Sequence, residues 1–468
     1  MIFNMTDTSG GGGGVTVESL SVTTNGTYTA PTGKAYSPVT VNVSGGGGSV
    51  EAKDVNFYDY DGTIVYSYTK ADFLALNAMP SNPNHSTDTV PLTAEGWNWT
   101  LANAKTYVTA YGILDIGQVY RPTDNKTHII ITIPAGTPSA QTAMGIRLRA
   151  SAANDTTINW GDGNTTTATN TNATLFAHTY AAPGTYDIAI DAATGYYYLA
   201  NGSSSASYAI YGMYTSTSAD LYKSPYIRHL RLGKAAYTVG YCFQYCSNLE
   251  TVTVPNTMYN AALPTYMFRY CVKLKHLTIP DTITSMGSSL FHYCVDLASV
   301  SFSRGITSLE GSTFQYVTRV KRFTFPNTVT TINNSCIGGT KPDTVVLPSS
   351  ITGSFPVFDA IYNLSKVIGL EGASPTQLTT SHFSNLYCLD EITIPSTVTS
   401  IGNYAFRYSF GFRRIYMKPT SPPTLGTNAF QGISASCRII VPDASVATYK
   451  GASNWSAYSS QIIGESDV

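Results

Sequence analysis

Phe243-Gln-Tyr-Cys246 returns as Phe268-Arg-Tyr-Cys271, Phe291-His-Tyr-Cys294, Phe314-Gln-Tyr-Val317 and Phe406-Arg-Tyr-Ser409. The first four copies start 25, 23 and 23 residues apart. Self-similarity at a fixed period of this length predicts a solenoid in which each copy is one coil. The C-terminal half of the chain is therefore expected to stack coil upon coil.

A second phrase lies between these copies and predicts the strand of each coil. In Leu274-Lys-His-Leu-Thr-Ile-Pro280, Leu277 and Ile279 alternate with His276 and Thr278, which indicates a short strand with one buried face. The proline ends the strand because it cannot donate to the next ladder hydrogen bond. One coil buries too few apolar side chains to offset the ordering of its backbone, so neighbours must stack. About eight or nine coils are expected between Tyr226 and Phe430.

The repeat resembles the BspA-type leucine-rich repeats. Ile392-Thr-Ile-Pro-Ser-Thr-Val-Thr-Ser-Ile-Gly-Asn-Tyr-Ala-Phe406 is close to that family's consensus, and the resemblance extends over residues 227–465. Cys437-Arg-Ile-Ile-Val-Pro442 followed by Tyr449-Lys-Gly-Ala-Ser-Asn-Trp455 looks like the family's closing cap. The resemblance implies binding and adhesion rather than a reaction.

Composition limits the class of partner and the compartment. The 468 residues predict several domains, only 12% of them are charged, and the net charge is −1. Nothing therefore steers the chain toward nucleic acid or an anionic membrane. The 34 tyrosines, with abundant Ser, Thr, Asn and Gly, are typical of secreted or virion-surface proteins. We expect no signal peptide and no membrane insertion, hence synthesis in a host cytoplasm and a place on a virion surface.

The seven cysteines are expected to be structural. Cys246, Cys271 and Cys294 share one repeat position, so stacking places them in a column of small buried apolar residues. The Cys242-x-x-x-Cys246 spacing suggests zinc, but it lacks a second pair and falls inside the repeat phase. A disulfide framework is not expected for the same reason, and no metal or cofactor is predicted.

The N-terminal quarter divides at glycine runs. Residues 1–14 are interpreted as a Gly-rich tether, 15–44 as a small β module with a turn at Asn25-Gly26, and 45–50 as a Gly linker. The 15–44 module resembles short units of bacteriophage tail fibres. Residues 51–123 are expected to form a small α+β module resembling one that phage and prophage tail proteins place before leucine-rich repeats. It should contain a hairpin around Asp61-Gly62 and helices at 69–77 and 101–110.

Residues 124–192 are a predicted β-sandwich. Ile158-Asn-Trp-Gly-Asp-Gly163 and His178-Thr-Tyr-Ala-Ala-Pro-Gly-Thr-Tyr186 resemble the PKD family of immunoglobulin-like domains, which implies that Trp160 fills the core and Asp162-Gly163 forms a hairpin turn. Strands are expected at 127–133, 145–150, 157–160, 175–180 and 184–190. Residues 193–226 are interpreted as a Tyr/Ser-rich extension that caps the solenoid, which continues over 227–468. The fold class is thus mainly β and multi-domain.

Candidate binding residues come from the repeated phrase. Stacking predicts a row of tyrosines, in which each ring either contacts sugars and protein partners or packs on its neighbour's ring. Gln244, Arg269, His292, Gln315 and Arg407 should face solvent beside it. The strand face looks bland, with His229, Thr253, Thr278, Ser301, Thr324, Thr393 and Tyr416. The candidate binding residues are Tyr245, Tyr270, Tyr293, Tyr316, Tyr408, Arg269, His292 and Arg407.

No catalytic constellation is predicted. The seven histidines fall in separate modules or in repeat phase, and no nucleophile elbow or phosphate loop occurs. Asp59 and Asp61 are a conceivable acid/base pair, but turn carboxylates are the simpler interpretation. Asp162 could likewise be proposed as a calcium ligand, although no acidic cluster surrounds it.

These features predict a non-enzymatic bacteriophage virion surface protein that adheres to a host surface protein, glycan or mucin through its solenoid. The N-terminal modules would contact other virion proteins, and a homo-oligomer is expected. An exported bacterial adhesin and a purely architectural decoration protein are the alternatives.

Overall fold

A computed structural model describes residues 50–137, 142–169, 171–199, 226–333, 335–351 and 357–468. Outside them it gives the backbone of Ile210–Gly212 and of four strands in the N-terminal unit. The chain divides into two compact units, Met1–Glu51 and Ala52–Val468. In the first unit, β1 (Ile2–Thr6) pairs antiparallel with β2 (Val17–Ser21), and β3 (Gly26–Tyr28) with β4 (Val39–Val41). β1 lies within the predicted tether, while the predicted turn residue Asn25 lies outside the described residues.

The second unit begins with a four-stranded sheet and two helices. Its elements are β5 (Val55–Tyr58), β6 (Ile64–Tyr68), α1 (Lys70–Ala75), β7 (Leu92–Trp97), α2 (Leu101–Tyr111) and β8 (Leu114–Pro122), with sheet order β6-β5-β8-β7. The predicted hairpin is confirmed, and Gly62 supplies its left-handed turn residue at φ 88°. Both predicted helices are confirmed, with Thr69 and Thr100 accepting hydrogen bonds as N-caps. We call residues 52–122 the clamp module.

Two facing sheets follow. Their strands are β9 (Thr127–Ile133), β10 (Ala143–Ala150), β11 (Thr156–Asn159), β12 (Thr165–Thr167), β13 (Thr174–Thr179), β14 (Gly184–Ala192), β15 (Tyr197–Leu199) and β16 (Ile210–Gly212). The five predicted strands are confirmed, and β12 is one that the sequence interpretation missed. Trp160 is fully buried, and Asp162 accepts from the Asn164 amide in the β11–β12 turn, as predicted.

The repeats present a series of parallel strands in three hydrogen-bonded groups, which we together call the strand face. It comprises β17 (Ile227–Arg231), β19 (Thr251–Thr253), β21 (His276–Thr278), β23 (Ser299–Ser301), β25 (Arg322–Thr324), β27 (Thr344–Val346), β28 (Lys366–Ile368), β30 (Glu391–Ile394), β32 (Arg414–Met417), β34 (Arg438–Val441) and β35 (Ile462–Gly464). Among these strands, the three groups run from β17 to β23, from β25 to β28 and from β30 to β35. Nine of these described strands lie between Tyr226 and Phe430, which agrees with the predicted number of coils. The solenoid has about ten turns in all.

A second set of shorter strands closes each coil. It comprises β18 (Ala236–Thr238), β20 (Ala262–Leu263), β22 (Ser285–Met286), β24 (Ser308–Leu309), β26 (Thr331–Ile332), β29 (Gln377–Leu378), β31 (Ser400–Ile401) and β33 (Thr424–Leu425). The helices in this part are α3 (Leu370–Ala373) and α4 (Val446–Gly451), with 3₁₀ turns at Asp443–Ser445, Ser456–Tyr458 and Glu465–Asp467. No helix among the described residues is long and apolar enough to span a membrane.

The sandwich and the solenoid share both sheets and one core. β9 pairs with β17, so one sheet of the sandwich continues into the strand face. β15 pairs in parallel with β18, so the other sheet continues into the short strands. A single cluster of buried apolar side chains runs from Ile129 to Ile462. The sandwich thus closes the open end of the solenoid. The sequence interpretation placed this cap at residues 193–226, and β15, which lies in that range, is one of the strands that pair with the solenoid.

Phenylalanine ladders fill the solenoid. Phe268 and Phe291 stack with centroids 6.0 Å apart, and Phe383 and Phe406 with centroids 5.5 Å apart. At the C-terminal end, Trp455 packs on Phe430 and donates from Nε1 to the Pro423 carbonyl at 2.8 Å. This indole closes the core where the repeats stop, as the resemblance to a closing cap implied.

Candidate functional site

The clamp module covers the first half of the strand face. β8 crosses β19, β21 and β23, and a Cβ on Gly117 would lie 2.1 Å from the Thr278 hydroxyl oxygen. The Asn98 side-chain amide donates to the carbonyls of Ile279 and Ser301 at 3.2 and 3.0 Å. The clamp module therefore binds the backbone of the repeats through side chains to which the sequence interpretation had given no role.

The indole of Trp99 and the hydroxyl of Tyr107 extend this contact. Trp99 Nε1 donates to the Phe302 carbonyl at 2.7 Å, and the Tyr107 hydroxyl donates to the Phe325 carbonyl at 2.7 Å. Phe302 and Phe325 are buried in the folded chain, and a buried carbonyl left without a donor costs more than a hydrogen bond contributes. Docking of the clamp module thus provides hydrogen-bond donors for backbone carbonyls of successive coils at one edge of the strand face.

A buried ion pair completes the contact. Arg322 donates from Nε to both Asp115 carboxylate oxygens at 2.8 and 2.9 Å, and its other nitrogens reach the carbonyls of Lys53 and Leu114. The Asp115 side chain is 2% exposed. The neighbouring carboxylate raises the Arg322 pKa despite burial of the guanidinium.

The strands in the first half of the strand face consequently have two buried faces rather than one. His276 and Ser301 are fully buried, and Thr278 is 7% exposed. The His276 ring stacks under Tyr58 with centroids 5.2 Å apart, and burial lowers its pKa to about 4. The prediction of one exposed polar face failed because the covering module is distant in sequence. Thr393 and Tyr416, beyond the module, remain partly exposed.

Four of the predicted tyrosines form a stacked column. The ring centroids of Tyr245 and Tyr270 are 4.9 Å apart, those of Tyr270 and Tyr293 5.0 Å, and those of Tyr293 and Tyr316 4.6 Å. We call these four the tyrosine row. Each inner ring has a neighbour on both faces, so ring edges rather than faces point outward. The tyrosines thus pack on their neighbours' rings, which is the second of the two predicted alternatives, and sugar rings cannot stack on the inner tyrosines.

The row ends where glycine replaces tyrosine at the same backbone conformation. Its tyrosines lie in the left-handed region, as Tyr293 does at φ 60°, and Gly339 occupies the same position in the next coil at φ 68°. A Cβ on Gly339 would approach the Tyr316 ring to 2.6 Å, so this ring covers the glycine. Tyr408 lies apart from the row and packs over Gly432 in the same manner.

The polar residues beside the row do not simply face solvent. Gln244 is 3% exposed, a correction to the prediction, and Arg269, His292, Gln315 and Arg407 are half-buried. The Arg269 guanidinium lies 4.9 Å from the Tyr270 centroid and donates to His292 Nδ1 at 3.1 Å. The neighbouring tyrosines cover these side chains, which the linear pattern did not reveal.

Arg407 repeats this arrangement in a later coil. Its guanidinium lies 4.5 Å from the Tyr408 ring centroid and donates to the Tyr408 hydroxyl at 3.3 Å. Both predicted arginines thus lie within 5 Å of a tyrosine ring centroid, which restricts their orientation at the surface.

A second aromatic group is more exposed and was missed from the sequence. Tyr362, Tyr387 and Phe410 are 44, 50 and 58% exposed, and Tyr408 beside them is 36% exposed. Tyr362 stacks on Tyr387 at 5.0 Å, and Phe410 lies 5.9 Å from Tyr387 and 6.2 Å from Tyr408. We call these four residues the outer aromatic row.

In the sequence, the outer aromatic row is marked by a change in the position of the aromatic residue relative to the core phenylalanine of each coil. Tyr362, Tyr387 and Phe410 each stand four residues after the core phenylalanine of their coil. In the first two of these coils the left-handed position holds Ala360 and Asn385 instead of tyrosine. Searching for an aromatic at a fixed offset from each core phenylalanine would have found them.

The cysteine column is confirmed and has an added role. Cys271 and Cys294 are buried, burial raises their thiol pKa, and their Sγ atoms donate to the carbonyls of Phe243 and Phe268 at 3.2 and 3.0 Å. Ser409 makes the equivalent bond to the Phe383 carbonyl. This position therefore joins successive coils through side-chain donors.

The histidine–carboxylate pairs suit structure rather than proton transfer. His85 has Asp59 at 2.8 Å on Nε2 and Asp88 at 3.0 Å on Nδ1, which leaves neither nitrogen free. Asp61 accepts from the Thr63 amide in the hairpin turn, so Asp59 and Asp61 have separate structural partners. Over the described ranges, no group of three His, Cys, Asp or Glu side chains could hold a metal ion.

Comparisons with known proteins agree with the repeat architecture. Residues 238–355 and 357–453 match the model of the BspA type leucine-rich repeat region, in six copies. These residues are BspA-type leucine-rich repeats. No curated protein matches the chain.

Solved structures with similarity to this chain come from bacterial proteins, two of them described as leucine-rich. A leucine-rich repeat protein from Bacteroides ovatus is 16% identical, with 55% of this chain and 88% of that chain covered and a TM-score of 0.24. A leucine-rich cell surface protein from Faecalibacterium prausnitzii is 16% identical, with 50% and 79% covered and a TM-score of 0.30. The pneumococcal vaccine antigen PcpA is 11% identical, with 54% and 82% covered and a TM-score of 0.28.

Proposed function

We propose that this BspA-type repeat protein is a non-enzymatic surface adhesin that holds a host-surface glycan, mucin or protein against the outer aromatic row. The observation that carries the proposal is the exposure of Tyr362, Tyr387 and Phe410 on adjacent coils. Clustered exposed aromatics on a rigid scaffold mark interaction sites, because they bury large areas with little loss of side-chain entropy. Arg407, held against Tyr408, adds an oriented hydrogen-bond donor.

The tyrosine row supports the same role in a different way. Its stacked rings present edges and fix Arg269 and His292 beside them. We place the main contact at the outer aromatic row because its rings are more exposed than the inner tyrosines. The tyrosine row then contributes a flanking polar surface.

The proposed location is the surface of a bacteriophage particle. The resemblance of residues 15–44 and 51–123 to phage tail modules supports it. Since residues 52–122 pack on the repeats, we assign attachment to other virion proteins, and any homo-oligomer contact, to the separate Met1–Glu51 unit. A bacterial cell surface is the alternative, and the match to BspA-type repeats is compatible with both locations.

Binding and location are tested separately. The purified full chain should bind immobilised mucin or host envelope saturably, and absence of binding to either would leave only an architectural role. Immunogold labelling should decorate phage particles from lysates. Labelling confined to intact bacterial cells would favour the alternative location.

A further inference from the structure

A cavity of about 890 Å³ opens between the clamp module and the strand face. Its walls come from β5, β6 and β8 on one side and from β23, β25, β27 and β28 on the other. It is distinct from both aromatic rows, none of whose residues line it. Because the module and repeats are joined by the buried Asp115–Arg322 pair, this space is part of the folded unit.

Positive charge is concentrated in the cavity. Lys53, Lys321 and Lys366 line it. Among the described residues, no carboxylate lies within ion-pair distance of any of these three ammonium groups. Asp343 is the one uncommitted acid of the lining, which leaves two net positive charges. Arg322 and Arg319 also line it but are paired with Asp115 and Asp296. A protein of net charge −1 therefore holds a cationic pocket.

The remaining lining suits a sugar ring. Ile64, Ile113 and Ile368 are half-buried and give the lining aliphatic surface, and Thr344 adds a hydroxyl group. Sites that bind small ligands combine such apolar surface with a few placed polar groups. The Tyr58 ring is covered by His276, so the cavity offers no free aromatic face for a nucleobase.

The excess of positive charge ends at Lys366. Beyond it the strand face continues into a second space lined by Glu371, Asp390 and Glu391, in which Asp390 pairs with Arg413 and Glu391 with Arg414. An extended polyanion would find no further unpaired cation among the residues that line this second space, whereas a single anionic group fits within the first space.

We propose that this cavity binds an acidic saccharide through its carboxylate or sulfate group. The anion lies among Lys53, Lys321 and Lys366, and the less polar side of the sugar ring lies against the isoleucines. Charge-assisted hydrogen bonds to the lysines supply most of the discrimination against neutral sugars.

Calorimetric titration of the full chain with sialyllactose tests the assignment, with lactose as the neutral control. We expect sialyllactose to bind at least about tenfold more tightly than lactose, and its affinity to fall as NaCl rises from about 50 to about 500 mM. The double variant Lys321→Gln/Lys366→Gln should lose about tenfold in affinity. The matched double variant Lys273→Gln/Lys450→Gln, which changes exposed lysines elsewhere, should bind as the parent does.

Three results would overturn the proposal: equal binding of lactose, no effect of the cavity variant, or no sialyllactose binding at millimolar concentration. Tighter binding of a single-stranded oligonucleotide would instead assign the cavity to nucleic acid. The variant Tyr387→Ala/Phe410→Ala should retain sialyllactose binding. Failure of the outer-row adhesion proposal and failure of this one are therefore distinguishable.

Discussion

The tyrosines of the repeated phrase accept a backbone conformation that favours glycine. Tyr270 lies at φ 62°, where an L-residue other than Gly, Asn or Asp costs about 1 kcal/mol or more. Stacking on Tyr245 and Tyr293 offsets this cost, since offset aromatic pairs contribute about 0.5 to 1.5 kcal/mol each. The position therefore holds tyrosine throughout the stacked row and glycine in the coil that follows Tyr316.

Replacing Gly339 tests this account of the row's end. Gly339→Ala should lower the free energy of unfolding by about 1 to 2 kcal/mol, because the new Cβ is strained and meets the Tyr316 ring at 2.6 Å. Chemical denaturation measures the change. Gly451→Ala, where a Cβ meets nothing within 4 Å, is the matched control and should be neutral or stabilising. Equal effects of the two substitutions would refute the steric explanation.

Buried histidines make the protein sensitive to acid. Burial lowers the pKa of His382 to about 3, below the unfolded value of about 6.5. Between these values the unfolded chain binds a proton that the folded chain does not, so stability falls as pH decreases from about 6.5. His382→Asn should reduce the slope of unfolding free energy against pH in this window by up to about 1.4 kcal/mol per unit. An unchanged slope would contradict the assignment.

His85 should act with the opposite sign. Its hydrogen bond to Asp59 raises its pKa, so its stabilisation is fully present below about pH 6.5 and is lost as pH rises through the folded value. His85→Asn should therefore destabilise the protein more at pH 5 than at pH 8, in the same denaturation series. A larger loss at pH 8 would show that the carboxylate pairing is not the cause.

At the level of elements, the sequence predicted what is local. The hairpin, the two threonine-capped helices, five of the sandwich strands and the coils were found from patterns within about 25 residues. Apart from the short strand β12, what it missed depends on pairing across large separations, such as Asn98 on Ile279 and Ser301 or Arg322 on Asp115. Tyr362, Tyr387 and Phe410 of the outer aromatic row were missed because their phase differs from that of the first four copies.

The clamp module should depend on its buried ion pair. Arg322→Met leaves the Asp115 carboxylate buried without its partner, which should cost about 3 to 5 kcal/mol. Hydrogen exchange over residues 52–122 and chemical denaturation report the loss. Lys418→Met, which removes an exposed pair with Glu465, is the control and should cost under about 1 kcal/mol. Similar costs would show that the pair does not fix the module.

At the scale of the whole second unit, sandwich, repeats and closing cap share one apolar core. A fragment of residues 227–468 removes β9 from β17 and exposes the N-terminal end of that core. We expect it to aggregate or bind a hydrophobic dye, whereas residues 52–468 remain monodisperse. Size-exclusion chromatography compares the two, and a well-behaved 227–468 fragment would show that the sandwich is dispensable as a cap.

The central claim is that adhesion to mucin depends mainly on the outer aromatic row of the solenoid. Surface plasmon resonance of the full chain on immobilised mucin tests it most directly, with Tyr362→Ala/Tyr387→Ala/Phe410→Ala compared against Tyr259→Ala, an exposed tyrosine outside the row. The triple variant should weaken binding by at least about 2 kcal/mol, roughly thirtyfold, while the control binds as the parent does. Unaltered binding by a folded triple variant would contradict the account.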